Sequence, residues 1–183
     1  MIHAKTALPF AAALALFAGC LGYSWTSSVP KSMRTVSVPA FENRTTYAEF
    51  GATATKQVLR EFEREGTFKI RRTGDSALEL QGVVSRVTLN GIDYDRGYDR
   101  RASEYRMRVT VECSLIDKVA NKVLFDNRKF VGETTFLSQR DVLTGQRNAS
   151  DRVAVDLARQ IVDAVLAQYD DSPNSELTPG GER

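Results

Sequence analysis

"EYRMRVTVECSLID" (Glu104–Asp117) alternates without a break. Tyr105, Met107, Val109, Val111, Cys113 and Leu115 take every second place, and Arg106, Arg108, Thr110, Glu112 and Ser114 stand between them. Successive side chains of a strand point to opposite faces, so a period of two over eleven residues predicts one buried face and one wet face. One-sided burial is the habit of antiparallel sheets. Cys113 falls on the buried face and reads as a small core residue. Arg106 and Arg108 fall together on the wet one.

The flanking segments supply partners for that strand. Upstream, Ala77–Leu89 is a long strand whose phase changes: Leu78, Leu80 and Val84 share one parity, Val87 and Leu89 the other. A β-bulge near Val84–Arg86 reconciles them. Asn90-Gly91 opens a polar connection that reaches about Ala102. Downstream, Lys118–Asn121 reads as a hairpin connection and Val123–Val131 as the returning strand.

Further out the pattern turns helical. Arg34–Phe41 is a strand with Val36 and Val38 on one face, and Pro39 marks its end or an edge. "FENRTT" (Phe41–Thr46) turns the chain. Thr46 to Glu49 fits a capping box, with Thr46 as N-cap and Glu49 reaching back. Phe50, Ala54, Val58 and Phe62 follow at intervals of four, an apolar helix face from about Tyr47 to Glu65, and Gly66 stands where a left-handed cap belongs. Phe68–Arg72 is a short strand; strand–helix–strand at this spacing predicts a parallel crossover. Leu137–Asn148 is polar and reads as a link. A second helix is expected from Ser150 or Asp151, with Val153, Ala154, Leu157, Ile161, Val165 and Tyr169 on its apolar face. The order is β-α-β-β-β-β-α. Two one-faced helices and a mixed, mostly antiparallel sheet satisfy each other when both helices pack on one sheet face, an α+β two-layer sandwich.

The amino-terminal end has a different chemistry. His3 and Lys5 precede Ala7–Leu21, fifteen residues without a charge. That is shorter than the ~18–20 residues that span a bilayer, and it reads as a secretory signal peptide over residues 1–19. Phe17-Ala18-Gly19-Cys20 resembles a bacterial lipobox, with Phe17 where Leu is usual. The resemblance implies an S-diacylglyceryl group on Cys20, a further N-acyl chain such as palmitate, and Cys20 as the first mature residue. A plain exported protein with a free Cys20 is the alternative. One acyl chain binds a membrane only marginally and two or three hold it, so such an anchor is stable. Leu21, in place of the Asp that retains lipoprotein at the inner membrane, favours the periplasmic side of the outer membrane. Residues 20–33 then form the lipidated start and linker, 34–170 one domain, and 171–183 a tail of disordered composition.

Composition narrows the function. Without residues 1–19 the chain has 183 − 19 = 164 residues and, losing Lys5, 24 basic against 23 acidic side chains. A charge near +1 does not suggest a nucleic-acid binder. His3 is the single histidine and leaves with the signal peptide, so the mature chain has no Ser-His, Cys-His or His-metal site. There is no P-loop, no G-x-G-x-x-G and no C-x-x-C. No cofactor, metal site or catalytic residue is expected, and a non-enzyme is the reading. A hydrolase working with carboxylates alone would need a clustered Asp/Glu pair in a cleft.

The ordered series of segments carries a resemblance. Cys20-Leu-Gly22-Tyr23 is followed by Ser28-Val-Pro30, "RTVSVPAFENRT" (Arg34–Thr45), "REFEREGTFKI" (Arg60–Ile70), "ALELQGVVSRV" (Ala77–Val87), "SEYRMRVTVECSLID" (Ser103–Asp117) and Asn121–Phe125. This series, over roughly residues 19–170, resembles the LPS-assembly lipoprotein family, LptE. The resemblance implies a partner, the outer-membrane β-barrel LptD, whose lumen the lipoprotein plugs and whose folding it assists. It also implies help in delivering lipopolysaccharide to the outer leaflet. Large barrels have polar interiors, and the mixed surface charge of this chain suits such a place. Arg96, Arg100, Arg101, Arg106 and Arg108 lie in a run that also holds Asp93, Asp95, Asp99 and Glu104. Arg100, Arg101, Arg106 and Arg108 are the candidate contacts to lipid A phosphates or to the barrel; a solvated loop with internal ion pairs is the alternative. Another lipoprotein module, a secretin pilotin or a cell-wall synthase activator, is the competing reading of the whole.

Overall fold

In the computed structural model, which describes residues 34–94, 102–137 and 142–170, the elements run β1 (Thr35–Ser37), β2 (Glu42–Asn43), α1 (Phe50–Glu65), β3 (Lys69–Ile70), β4 (Leu78–Tyr94), β5 (Ala102–Asp117), β6 (Lys122–Leu137) and α2 (Val142–Asp170). They form one sheet in the order β3-β1-β4-β5-β6, with β2 also on β4. β1 is parallel to β3 and β4, while β4, β5 and β6 are antiparallel neighbours. The expected α+β architecture is the observed one, with the first strand shortened to Thr35–Ser37 and a two-residue strand, Glu42–Asn43, formed inside the stretch expected to turn the chain.

β5 is paired on both sides, by β4 and β6, and its alternation survives intact. Met107, Val109, Val111, Cys113 and Leu115 are buried, while Arg106 and Arg108 are exposed. The phase change in β4 is a bulge at the expected place. Val84 pairs with Val111 and Arg86 with Thr110, which leaves Ser85 extra. Beyond it Val87 and Leu89 return to the inner face opposite Val109 and Met107. Arg86 is thereby turned to the wet side; without the extra residue it would share the parity of Val84.

The inner face carries both helices. Phe50, Ala54, Val58 and Phe62 of α1 join Val153, Leu157, Ile161 and Val165 of α2 and the inner strand residues in one cluster. Full burial of a side chain the size of Phe62 contributes about 1.5–3 kcal/mol. Phe62 also meets Phe68 edge to face, with ring centres 6.1 Å apart. Gly66 caps α1 with φ of 81°, donating its N–H to the Phe62 carbonyl. The left-handed turn favours glycine because a Cβ is strained there.

The entry to α1 differs from the expected capping box. The helix starts at Phe50, and Glu49 in the N-cap place makes no side-chain cap. Asn43 does the tying instead. Its Oδ1 accepts from the N–H and hydroxyl of Thr45 (3.0 and 2.8 Å), and its amide donates to the carbonyls of Tyr47 and Ala48 (2.7 and 3.2 Å). The Thr55 hydroxyl accepts from the Phe41 N–H at 2.9 Å and fastens the preceding strand to the helix. A residue held by four local bonds outcompetes a two-bond box.

Three further boundaries move. β4 runs to Tyr94 rather than ending at Leu89, with Asn90 and Gly91 paired to Arg106 and Tyr105 instead of opening the connection. β6 runs to Leu137 rather than ending near Val131, and α2 begins at Val142 rather than Ser150. The inner positions of the added strand are Gly132, Thr134 and Phe136, of which only the last is strongly apolar. Gly132 is required by close packing, since a Cβ there would stand 2.9 Å from Val153 and Leu157. The first turns of α2 are mostly exposed, so no apolar stripe announces them. The side chain of Tyr169 lies outside the described residues.

Candidate interaction face

The wet face of the sheet gathers the charged residues that the alternation of β5 singled out. Strand register places Glu133 of β6 directly opposite Arg108 and Thr135 opposite Arg106. The Glu133 carboxylate holds both arginines. Its Oε1 lies 3.1 Å from Arg106 Nε, and its Oε2 lies 2.6 Å from Arg108 Nη2 and 2.7 Å from Arg108 Nε. Two guanidiniums share one carboxylate, which leaves a net positive charge on the cluster. The side chains of Arg106 and Arg108 are 46% and 58% exposed, so salt screens the pairs and each contributes about 0–1 kcal/mol.

Neighbouring positions extend the pattern. Lys129 approaches Glu112, its cross-strand partner, to 3.8 Å. Arg86 stands exposed on β4, diagonal to Arg108, whose direct partner is Thr88. Along β5 from Arg106 to Glu112, with the facing stretches of β4 and β6, the wet side therefore presents Arg86, Arg106, Arg108 and Lys129 against Glu112 and Glu133. The surface suits an anionic or mixed-charge polar partner. Arg86 and Glu133 escaped sequence reasoning because their placement needs the bulge and the register. The phase change in β4 was the available signal for Arg86.

The other candidate residues divide as follows. Arg106 and Arg108 are brought together, as the alternation requires. Arg100, Arg101 and Cys20 lie outside the described residues. Cys113 is buried in the core and burial pushes its thiol up to about 12, so it stays protonated and unreactive. The Glu42 carboxyl is held below its usual range, first by its hydrogen bonds from Arg44.

Concavity lies elsewhere. A cleft of about 530 Å³ opens between the starts of α1 and α2, lined by Tyr47, Glu49, Thr53, Leu143, Arg147 and Asp151 among others. Glu49 and Asp151 are both exposed. General acid–base work with two carboxyls needs contrasting environments, one desolvated and one not, and this cleft does not provide them. Among the described residues no group of three or more His, Cys, Asp or Glu is placed to hold a metal. No helix among them is long and apolar enough to cross a membrane.

Comparison with known proteins identifies the domain. The family model for LptE, described as lipopolysaccharide-assembly, matches residues 33–165. This chain belongs to the LptE family. LptE-type segments thus account for β1 to most of α2. No curated protein matches the chain. Solved structures share its fold. A minor lipoprotein from Acinetobacter baumannii is 15% identical, covering 75% of this chain and 95% of its own, with a TM-score of 0.51. Lipoprotein B from Nitrosomonas europaea is 12% identical over 78% and 92%, at 0.53. A protein from Chlamydia trachomatis is 10% identical over 73% and 96%, at 0.55. At such identities the likeness is one of fold. Assignment to lipopolysaccharide assembly rests on the family match.

Proposed function

We propose that this LptE-family protein is an outer-membrane lipoprotein, anchored through acylated Cys20 on the periplasmic side, that plugs and helps assemble the LptD barrel and assists lipopolysaccharide delivery. The family match over residues 33–165 is the observation that carries the reading. The sheet adds support: one face is committed to the core, and the other is a polar, charge-paired surface of the kind a polar barrel lumen accommodates. Within this reading Arg106 and Arg108, pre-positioned by Glu133, meet an anionic group of the lumen or of lipid A, and Arg100 and Arg101 belong to the same contact. A guanidinium fork matches carboxylate and phosphate alike.

Co-purification after detergent extraction tests the partner. The barrel is expected in stoichiometric amount; recovery of the lipoprotein alone beside an intact barrel would overturn the proposal. Cys20→Ala is expected to release the protein from the membrane and abolish the acyl mass. Arg106→Glu with Arg108→Glu is expected to impair lipopolysaccharide export while the fold survives. Loss of secretin multimers or altered peptidoglycan on depletion would favour the pilotin or synthase-activator reading instead.

A further inference from the structure

Among the described residues β6 is the outer strand of the sheet, sixteen residues long and paired only on its β5 side. A long open edge is a template for another strand. The opposite edge, β3, has two residues and offers little. β6 must therefore be protected along its length, and its two halves are protected differently.

In the half nearer the β5–β6 hairpin the ladder is irregular. Register shifts lie between Cys113 and Ile116 of β5, and Asn127 sits at φ of 47°. Such a bulge twists the edge and ends flat pairing. The half from Phe130 to Leu137 keeps regular register. There α2 reaches over the edge. Gln160 Nε2 donates to the Val131 carbonyl at 3.2 Å and is itself held by Asp156 at 2.9 Å. Arg152 Nη2 donates to the Thr135 carbonyl at 3.0 Å. The spacing is matched: eight helix residues rise ~12 Å and four strand residues ~13 Å. Carbonyls two residues apart point to the same edge, so Val131, Glu133 and Thr135 present theirs outward, and α2 covers the first and last.

We propose that the Phe130–Leu137 edge is a self-pairing strand held closed by Gln160 and Arg152, and that its occupant once they are removed is β6 of a second copy, antiparallel about Val131. Charge and shape both select that register. A two-fold axis at Val131 sets Lys129 opposite Glu133 of the other copy, twice. It also sets the 48% exposed Val131 against its own counterpart. Opposite charges and β-branched pairs facing across antiparallel strands are favourable. The guards keep the chain in single copies, the state in which a plug enters a lumen.

Val131→Cys reads the pairing directly, because hydrogen-bonded partners lie about 5.5 Å apart at Cα, within disulfide reach. In the full chain, Val131→Cys alone is expected to give little 131–131 cross-link under mild oxidation. Adding Arg152→Ala and Gln160→Ala is expected to raise it about tenfold, the effect of losing two hydrogen bonds. Equal yields with and without the guards would overturn the proposal. Gln160→Ala alone, at a half-buried position, is expected to give an intermediate gain if the double change perturbs folding. Arg152→Ala, Gln160→Ala and Val131→Pro together should sediment as single copies, since proline removes the outward N–H and leaves the β5 ladder intact. A dimer in that variant would place self-association elsewhere and sink the assignment to β6.

Discussion

The ring of Phe41 occupies the space that a side chain on residue 82 would need. A Cβ built on Gly82 stands 2.7 Å from three of its ring carbons. The contact follows from the interruption between β1 and β2. Ser37 pairs with Glu79 and Glu42 with Val83, so residues 38–41 stand against 80–82, four against three. The extra residue, beside Pro39, lets Phe41 swing in over the glycine.

Gly82→Ala is therefore expected to destabilise the domain by roughly 1–3 kcal/mol, the usual cost of overpacking. Denaturant unfolding measures it. Phe41→Leu should relieve part of that cost, and a double-mutant cycle should show coupling between the two sites. Additive effects would mean that the ring moves aside freely.

The entry to α1 makes a contrast between neighbours. Asn43→Ala removes four hydrogen bonds and is expected to cost about 2 kcal/mol. Thr46→Ala and Glu49→Ala should each change stability by less than about 0.5 kcal/mol, because neither caps the helix. Thermal unfolding of the three variants checks this ordering. Equal losses at Thr46 and Asn43 would reinstate the capping box.

Glu133 is expected to matter more for contact than for stability. Glu133→Gln should lower stability by less than about 1 kcal/mol, as exposed pairs do, while releasing both arginines from their ion pairs and removing one negative charge. The measurable consequence is tighter, more salt-sensitive binding to an anionic partner, read by pull-down of the barrel across a salt series. A loss of several kcal/mol would instead make the cluster a structural clamp.

Cys113 gives a pH signature. Its folded thiol stands at about 12 and the ordinary thiol value is 9.0. The unfolded chain therefore loses this proton first. Stability from the protonated thiol is fully present below pH 9 and is lost as pH rises toward 12. Unfolding measured at pH 8 and pH 11 should show the wild type losing more stability than Cys113→Ala over that interval. A thiol reagent at pH 8 should leave Cys113 unlabelled until the chain unfolds.

Local periodicity was enough to determine much of this protein. The alternation of Tyr105–Leu115, the four-residue spacing of Phe50–Phe62 and the parity change before Val87 are each written within a dozen residues. They gave the sandwich, the bulge and the wet face of Arg106 and Arg108, because burial on one side imposes its period directly on the chain. The tertiary structure alone decided what those residues meet. Glu133 finds Arg108 across twenty-five positions of sequence, Gly132 and Gly82 mark close approaches that carry no apolar signal, and Asn43 displaces a well-formed capping pattern. Long-range register and close packing join residues that are strangers along the chain, and no local period records such meetings.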